Sequence, residues 1–175
     1  GWDRDVKKKN NRKKFNFINS GFNLRPLEVS AAIGLNQFKR LSKMMQIRSY
    51  NRNRLINNLR TSNLWNNQFT FFNPSKNLKP SWFGFPLLID NKLAYKKDKF
   101  LDFIGHQGIE TRPIISGNFS KQHAIKLYKI NHNKKKLANA DDIDRRGFFI
   151  GLPTVKLSKE KLKKITKLLL KISDI

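Results

Sequence analysis

The sequence predicts an α/β fold in which a small α/β sandwich domain is preceded by long interface helices. Two observations support this fold class. Helical periodicity runs from Pro26 to about Leu59, and short β-type and helical segments alternate beyond residue 65. The order after residue 65 is strand, strand, helix, strand, helices, strand and helix. That order is typical of helices packed on a small, largely antiparallel sheet.

The helical region begins at Pro26, because proline is favoured at the first helical position, where its missing N–H would have no partner. An apolar side suited to close packing follows, formed by Leu27, Ala31, Ile33, Gly34 and Leu35. A longer helix is predicted over 39–59, with an interrupted stripe of Leu41, Met44, Met45, Arg48, Leu55, Ile56 and Leu59. We expect its basic face to be solvated; that face carries Arg40, Lys43, Arg48, Arg52 and Arg54.

Before this region, residues 1–20 are polar and basic, which predicts a surface loop with a short extended piece over 15–18. After Thr61 the apolar period shortens, and strands are predicted over 69–72 and 81–89. Pro86 lies within the second of these strands. Because proline cannot donate a ladder hydrogen bond, it favours an edge position or a bulge there.

The remaining elements follow from the same patterns. We predict a helix over 98–107, an extended piece over 109–112, short helices over 121–128 and 137–144, and a buried strand over 148–152. The last helix begins with Ser158 as its N-cap, a position where serine is preferred. Its inner face is formed by Leu162, Ile165, Leu169 and Ile172.

Composition excludes several classes of protein and site. The 175 residues include no cysteine, so the chain itself offers no disulfide or thiolate metal site. No apolar run reaches the roughly 20 residues of a membrane span, and no signal peptide pattern is present. We therefore expect a soluble, cytoplasmic protein. The chain opens at Gly1 without an initiating methionine, so we also expect a fragment, either a truncated record or one piece of a split gene.

The formal charge of +25 would ordinarily indicate a nucleic-acid or acidic-membrane partner. The chain is also rich in Lys, Asn, Ile and Phe, whose codons are A/T-rich, and its basic residues are spread from end to end. We favour this dispersed bias over a dedicated nucleic-acid face. A basic nucleic-acid-binding module stays as an alternative from another functional class, supported by charge alone.

Two short segments could hold an anion. Asn23 and Arg25 flank a turn that leads into a helix, whose free N–H groups and positive dipole attract phosphate. Glu110 and Arg112 precede Pro113, and Ser116 and Asn118 flank Gly117 in a predicted tight turn. Each segment is equally consistent with a turn that satisfies only its own backbone. The histidines have no metal-like spacing, and we interpret Asp141, Asp142 and Asp144 beside Arg145 and Arg146 as local charge balance rather than a metal site.

The sequence resembles the C-terminal half of the DegT-type family of pyridoxal-phosphate-dependent nucleotide-sugar aminotransferases and their dehydratase relatives. The likeness rests on blocks in family order over nearly the whole chain: Gly1 to Asp5, Gly21 to Leu35, Ser81 to Pro86, Gly108 to Phe119 and Arg146 to Gly151. The last three resemble a subgroup near the lipopolysaccharide deoxysugar enzymes.

The resemblance implies the C-terminal part of a fold-type I transferase that works as a homodimer with shared active sites. It implies 1–25 as the loop and tail of the large cofactor domain, 26–62 as connecting helices and 63–175 as the small domain. Asn23 would reach the phosphate of pyridoxal 5′-phosphate (PLP) across the dimer interface, with Arg25 near the phosphate or substrate. Glu110, Arg112, Ser116 and Asn118 would lie at the pocket for a nucleotide-diphospho-sugar.

The catalytic residue of the family should lie upstream of Gly1, so we assign no catalytic residue to this chain and expect it to be inactive alone. The expected reaction is amino transfer from glutamate to a 4-keto-6-deoxy sugar in lipopolysaccharide or O-antigen biosynthesis. The alternative is 3-dehydration of the same kind of sugar. An upstream lysine would indicate transfer, and an upstream histidine would indicate dehydration.

Overall fold

The computed structural model describes residues 26–115, 117–122, 125 and 137–175. The chain divides into two compact units, Gly1–Arg40 and Leu41–Ile175. In the first unit, the described residues 26–40 are the start of the first helix. Their apolar side chains are exposed, including Leu27, Val29, Ile33, Leu35 and Phe38. The predicted division at residues 25 and 62 stays a prediction.

Helix α1 spans Glu28–Arg60, so the two predicted helical stretches form one helix. The prediction that Pro26 occupies the first helical position was wrong. The first helical hydrogen bond runs from the Ala31 N–H to the Leu27 carbonyl, 3.1 Å, which makes Leu27 the N-cap. The expected end near Thr61 is confirmed.

A four-stranded antiparallel sheet forms the centre of the second unit. Its strands are β1 (Phe69–Phe71), β2 (Gly84–Ile89), β3 (Thr111–Arg112) and β4 (Gly147–Gly151). Their order is β1-β2-β4-β3, with every neighbouring pair antiparallel. The predicted small antiparallel sheet is therefore confirmed.

The prediction that Pro86 marks an edge strand or a bulge was wrong, because β2 lies between β1 and β4. The hydrogen-bond pattern explains why proline is tolerated. The Leu152 N–H donates to the Phe83 carbonyl, 3.0 Å, so Phe83 is a hydrogen-bonded position toward β4 and Pro86, three residues later, is not. On the other side, β1 ends at Phe71 opposite Leu87, one residue short of Pro86.

Three further helices lie in the described part of the second unit beyond α1: α2 (Lys97–His106), α3 (Ala138–Arg146) and α4 (Lys159–Leu170). The Ser158 side chain accepts from the Lys161 N–H at 3.2 Å, which confirms the predicted N-cap. The core joins one face of the sheet to α2, α4 and the end of α1. Its fully buried members include Leu55, Leu59, Phe85, Leu87, Phe100, Ile104, Phe148 and Leu169.

The predicted loop over 1–20 and its extended piece lie outside the described residues, as does most of the predicted helix over 121–128. Residues Phe119–Lys121 form a single 3-10 turn. Among the helices in the described ranges, none is both long and apolar enough to cross a membrane.

The expectation of a solvated basic face on α1 was wrong for Arg52 and was met only in part by Arg48 and Arg54, which are half-buried. Arg40 and Lys43 are exposed, as expected, but Arg48 is half-buried and its Nε donates to the Leu152 carbonyl at 3.2 Å. Arg52 is only 6% exposed. It lies three residues before Leu55 and seven before Leu59, which places it on the buried side of the helix.

Candidate functional site

The second face of the sheet, opposite the core, carries the candidate site. Successive side chains of a strand point to opposite faces, and residues paired across an antiparallel ladder share a face. While Phe85 and Leu87 of β2 are buried in the core, the alternate positions form the second face. Its members from the three neighbouring strands are Gly84, Pro86, Leu88, Gly147, Phe149, Gly151 and Arg112.

An aromatic pair divides this face. Phe83 and Phe149 contact each other edge to face, with centroids 5.3 Å apart and an interplanar angle of 72°. Phe149 lies directly over Gly84, where an added Cβ would come within 2.5 Å of the ring. Glycine is therefore required at position 84 for the ring to lie flat on the sheet. We call these two rings the aromatic wall.

On one side of the aromatic wall is a cleft of about 450 Å³, which we call the charged cleft. It brings together two of the predicted site residues, Glu110 and Arg112. Its lining comprises Phe83, Gly108, Ile109, Glu110, Arg112, Phe149, Ile150, Gly151 and Ile165.

Arg112 is paired with Glu110 but is available to a ligand. Its Nε and Nη2 contact Glu110 Oε1 at 3.0 and 2.9 Å, and the two side chains are 66% and 76% exposed. An ion pair this exposed contributes little to stability, roughly 0–1 kcal/mol. The guanidinium can therefore turn toward a phosphate, which it can bind through two parallel hydrogen bonds.

On the other side of the aromatic wall is a cleft of about 300 Å³, which we call the apolar cleft. Its lining comprises Pro80, Ser81, Trp82, Phe83, Gly84, Pro86, Ile114, Ile115 and Phe149. Two of these residues, Trp82 and Ile115, have left-handed backbone angles, with φ of 48° and 54°. A positive φ is uncommon for any residue with a side chain and is a true outlier for a β-branched one.

Arg52 supports Trp82 from the core side. Its guanidinium carbon lies 4.0 Å from the centroid of the indole, a cation–π contact. Its Nη2 also donates a hydrogen bond to the Phe72 carbonyl. Residue 86 would supply the N–H for that carbonyl if the β1–β2 ladder continued, and proline has none. Burial lowers the pKa of Arg52, and the nearby charge of Arg60 lowers it further.

Asn118 does not line either cleft. It is buried, and its side-chain oxygen accepts from the Ser120 N–H at 3.1 Å and the Ser120 hydroxyl at 2.7 Å. Its Nδ2 donates to Asp141 Oδ1 at 2.7 Å. Asn118 thus fixes the 117–122 loop to α3, and its contact with substrate stays a prediction.

The other predicted site residues, Asn23, Arg25 and Ser116, lie outside the described residues. Their roles, and those of Glu110 and Arg112, stay predictions. Sequence reasoning missed Arg52, Trp82, Phe83 and Ile115. The spacing of Arg52 from Leu55 and Leu59 was the available signal for its burial, whereas no sequence pattern announces the positive φ at Trp82 and Ile115.

The carboxylates of α3 balance neighbouring charges, as predicted. Asp142 forms a two-point contact with Arg146, from Nε at 2.8 Å and from Nη2 at 2.6 Å. These hydrogen bonds lower the pKa of Asp142. Asp141 contacts Lys121 at 2.5 Å. Over the described ranges, no group of three or more His, Cys, Asp or Glu side chains could hold a metal ion.

The curated proteins that are similar to this chain include two 3-dehydratases. The GDP-4-keto-6-deoxy-D-mannose 3-dehydratase of Escherichia coli O55:H7 is 29% identical over 91% of this chain and 42% of the relative. The enzyme of the same name from Yersinia pseudotuberculosis is 28% identical over 98% of this chain and 44% of the relative. The chain therefore spans less than half the length of these relatives.

A solved structure gives the same result for the fold. The E. coli GDP-4-keto-6-deoxy-D-mannose-3-dehydratase with bound hydrated PLP superposes with a TM-score of 0.81 at 27% identity, over 97% of this chain and 44% of that one. The described architecture is therefore the C-terminal part of a PLP-dependent aminotransferase or dehydratase fold, as the sequence predicted. A profile of the DegT/DnrJ/EryC1/StrS aminotransferase family matches residues 3–170, and the chain belongs to that family.

Proposed function

We propose that this chain is the C-terminal part of a PLP-dependent enzyme that modifies a nucleotide-linked 4-keto-6-deoxy sugar for lipopolysaccharide or O-antigen biosynthesis. The observation that carries the proposal is the similarity to 3-dehydratases over 91–98% of the chain. The charged cleft supports it, because a nucleotide diphosphate is an anion and Arg112 is exposed there.

For the reaction, we favour removal of the 3-hydroxyl over amino transfer, which the sequence analysis placed first. Both curated relatives described above are 3-dehydratases, and their identity to this chain is 28–29%. Amino transfer from glutamate to the 4-keto group is the second candidate. It is favoured by the family description itself, which names aminotransferases.

PLP would supply the electron sink for either reaction when bound. Neither cleft is lined by a lysine or a histidine among the described residues, so the groups that hold and activate the cofactor lie elsewhere. We propose that Asn23 and Arg25 hold the cofactor phosphate and that the catalytic residue belongs to a segment preceding Gly1. The described domain would then supply the substrate side of the site.

In this arrangement Arg112 binds the diphosphate, and Glu110 holds the guanidinium at the cleft until the diphosphate replaces it. The Glu110 carboxylate holds Nε and Nη2 of Arg112 on one side, at 3.0 and 2.9 Å. When a diphosphate enters, Arg112 exchanges one weak surface pair for charge-assisted hydrogen bonds to phosphate oxygens. We place the complete enzyme in the cytoplasm as a homodimer with shared active sites.

Product analysis of the complete, PLP-loaded protein tests the proposal. The protein is incubated with GDP-4-keto-6-deoxymannose and glutamate, and the sugar nucleotide is examined by mass spectrometry and NMR. Dehydration gives a sugar that lacks the 3-hydroxyl, whereas amino transfer gives one with an amino group at C4. A complete protein that binds no PLP, or changes none of a panel of 4-keto-6-deoxy sugar nucleotides, would refute the proposal.

A further inference from the structure

We propose that the apolar cleft is the subsite for the planar base of the nucleotide, with the aromatic wall separating the base from the diphosphate in the charged cleft. This inference rests on the proposed function, because it places one part of the proposed substrate. It adds a binding role for Trp82, Phe83 and Ile115, which the sequence analysis did not assign.

Backbone strain is the first observation that points to a ligand. The left-handed residues Trp82 and Ile115 come from different loops, yet both line the apolar cleft. Such conformations persist only where the surrounding structure enforces them, and they concentrate at ligand-binding sites. Ile115 is 78% exposed, so the packing of its own side chain cannot be the reason for the strain.

The second observation is the support given to Trp82. One face of its indole contacts the guanidinium of Arg52, which is itself fixed by the hydrogen bond to the Phe72 carbonyl. Arg52 is more than nine-tenths buried, so it holds the ring from within the domain rather than from solvent. The wall of the cleft formed by Trp82 is therefore preorganised before any ligand arrives.

The third observation is the shape and chemistry of the cleft. Its 300 Å³ is at the lower end of the range for small-molecule sites. Apart from the Ser81 hydroxyl and the Trp82 indole N–H, its lining side chains are apolar. Phe83 is 56% exposed and offers an aromatic surface that a flat ring can cover. Bases stack on aromatic side chains with little regard to base identity.

The apolar cleft adjoins the charged cleft, and this favours a nucleotide base over other apolar groups as its ligand. Phe83 and Phe149 line both clefts, so a molecule lying across the aromatic wall would reach both. A nucleotide has this division into an apolar ring and an adjacent anion. The methyl group of a 6-deoxy sugar would leave most of the apolar cleft unfilled.

The test uses the complete PLP-loaded protein and titration calorimetry. GDP, CDP, UDP and dTDP are screened first, and the tightest binder is then compared with inorganic pyrophosphate, which has no base. We expect Phe83→Ala to weaken the nucleotide by about 5- to 150-fold, the range of base–aromatic stacking. Ile115→Gly removes an aliphatic contact and should weaken it by about 4- to 15-fold, the value of one or two buried methylene groups. In Ile115→Gly, pyrophosphate binding should stay within about twofold of wild type, because Ile115 does not line the charged cleft. Since Phe83 lines both clefts, Phe83→Ala should weaken the nucleotide more than it weakens pyrophosphate.

The two variants together distinguish loss of the binding site from misfolding of the domain. Phe83→Ala removes a contact of Phe149, but Ile115→Gly relieves strain, since glycine adopts φ of 54° freely, and should leave the fold intact. Tyr95→Ala is the control, because Tyr95 is an exposed aromatic residue outside both clefts.

Each alternative outcome is informative. Unchanged nucleotide affinity in Ile115→Gly and in a folded Phe83→Ala would place the base elsewhere and overturn this inference while leaving the proposed function standing. Equal losses for nucleotide and pyrophosphate would also overturn it, since the variants would then act on the whole site. If no nucleotide binds the wild-type protein, the proposed function fails as well.

Discussion

Arg52 illustrates how one residue can connect the core to the candidate site. Its guanidinium replaces the N–H that Pro86 lacks by donating to the Phe72 carbonyl, and it contacts the Trp82 ring at 4.0 Å. A buried cation is costly unless its hydrogen bonds compensate. In Arg52, the hydrogen bond to the Phe72 carbonyl and the contact with the Trp82 ring offset part of this desolvation cost. The same side chain thereby fixes one wall of the apolar cleft.

Arg52→Met should destabilise the domain by about 2 kcal/mol. The Phe72 carbonyl loses its donor, at about 1–3 kcal/mol, and the cation–π contact is lost, at about 0.5–2 kcal/mol. Removal of a desolvated charge offsets part of this sum. Urea-induced unfolding followed by circular dichroism measures the change. Lys43→Met, at an exposed position of the same helix, should stay within about 0.5 kcal/mol of wild type.

The sequence predicted only some of the residue contacts at the candidate site. Glu110 and Arg112 were predicted together from one short segment, and they do share a cleft. The burial of Arg52 was predictable from its spacing to Leu55, but its two partners were not, because Phe72 and Trp82 lie 20 and 30 positions away along the chain. Contacts at that separation depend on strand register, which local patterns do not determine.

At the scale of elements, Asn51 joins α1 to the connection between β4 and α4. The fully buried side chain donates to the Pro153 carbonyl at 3.2 Å and the Val155 carbonyl at 2.9 Å. Its oxygen accepts from the Leu157 N–H at 3.0 Å. One amide thus satisfies three backbone groups of a segment that has no regular structure of its own.

Asn51→Asp should destabilise the domain by about 3 kcal/mol. The substitution keeps the shape and the acceptor for Leu157 but replaces both donated hydrogen bonds with a charged oxygen facing two carbonyls. Each unsatisfied buried group costs about 1–3 kcal/mol. Chemical denaturation measures the loss. Asn57→Asp is the control, as Asn57 is exposed on the same helix; a similar loss in both variants would contradict the role of Asn51.

Helix α3 is attached to the sheet through Arg146, which predicts a pH dependence. Arg146 contacts Asp142 and donates from Nη1 to the Ile89 carbonyl of β2 at 2.8 Å. Because its pKa is lowered in the folded state, Asp142 contributes stability that is present above its unfolded pKa, about 3.9, and is lost as pH falls through the folded value.

Asp142→Asn should therefore reduce stability by about 0.5–1 kcal/mol at pH 7, a modest value because the carboxylate is partly exposed. The difference from wild type should begin to shrink as the pH falls below about 3.9, where the unfolded-state carboxylate takes up a proton, and should be smaller at about pH 3 than at pH 7. Urea unfolding at both pH values measures it. A difference that stays constant between them would show that Asp142 does not act through its charge.

The element order was largely predictable, because strand and helix periods differ and both are visible in the sequence. The prediction for Pro86 failed because it considered the strand alone. Toleration of proline in β2 depends on β1 ending at Phe71 and on Arg52 from α1, and both are tertiary facts. A single α1 helix also replaced the two predicted helical stretches.

At the scale of the whole molecule, we propose an enzyme whose functions are divided between two parts of the polypeptide. The described domain presents Arg112 and two clefts beside the aromatic wall, and the charged cleft also reaches Ile150 and Ile165 on the core side of the sheet. The cofactor and the catalytic residue are assigned elsewhere. Because the chain belongs to this family, its charge of +25 does not require nucleic-acid binding as an explanation. We propose that this part of the domain binds the nucleotide sugar.

Steady-state kinetics of Arg112→Ala in the complete, PLP-loaded protein tests that claim most directly. KM for the nucleotide sugar should rise by roughly 10- to 100-fold, the value of one or two charge-assisted hydrogen bonds. The absorbance of bound PLP should not change, and Arg145→Ala, an arginine outside both clefts, should behave as wild type. An unchanged KM in Arg112→Ala would contradict the account, because the substrate would then bind elsewhere.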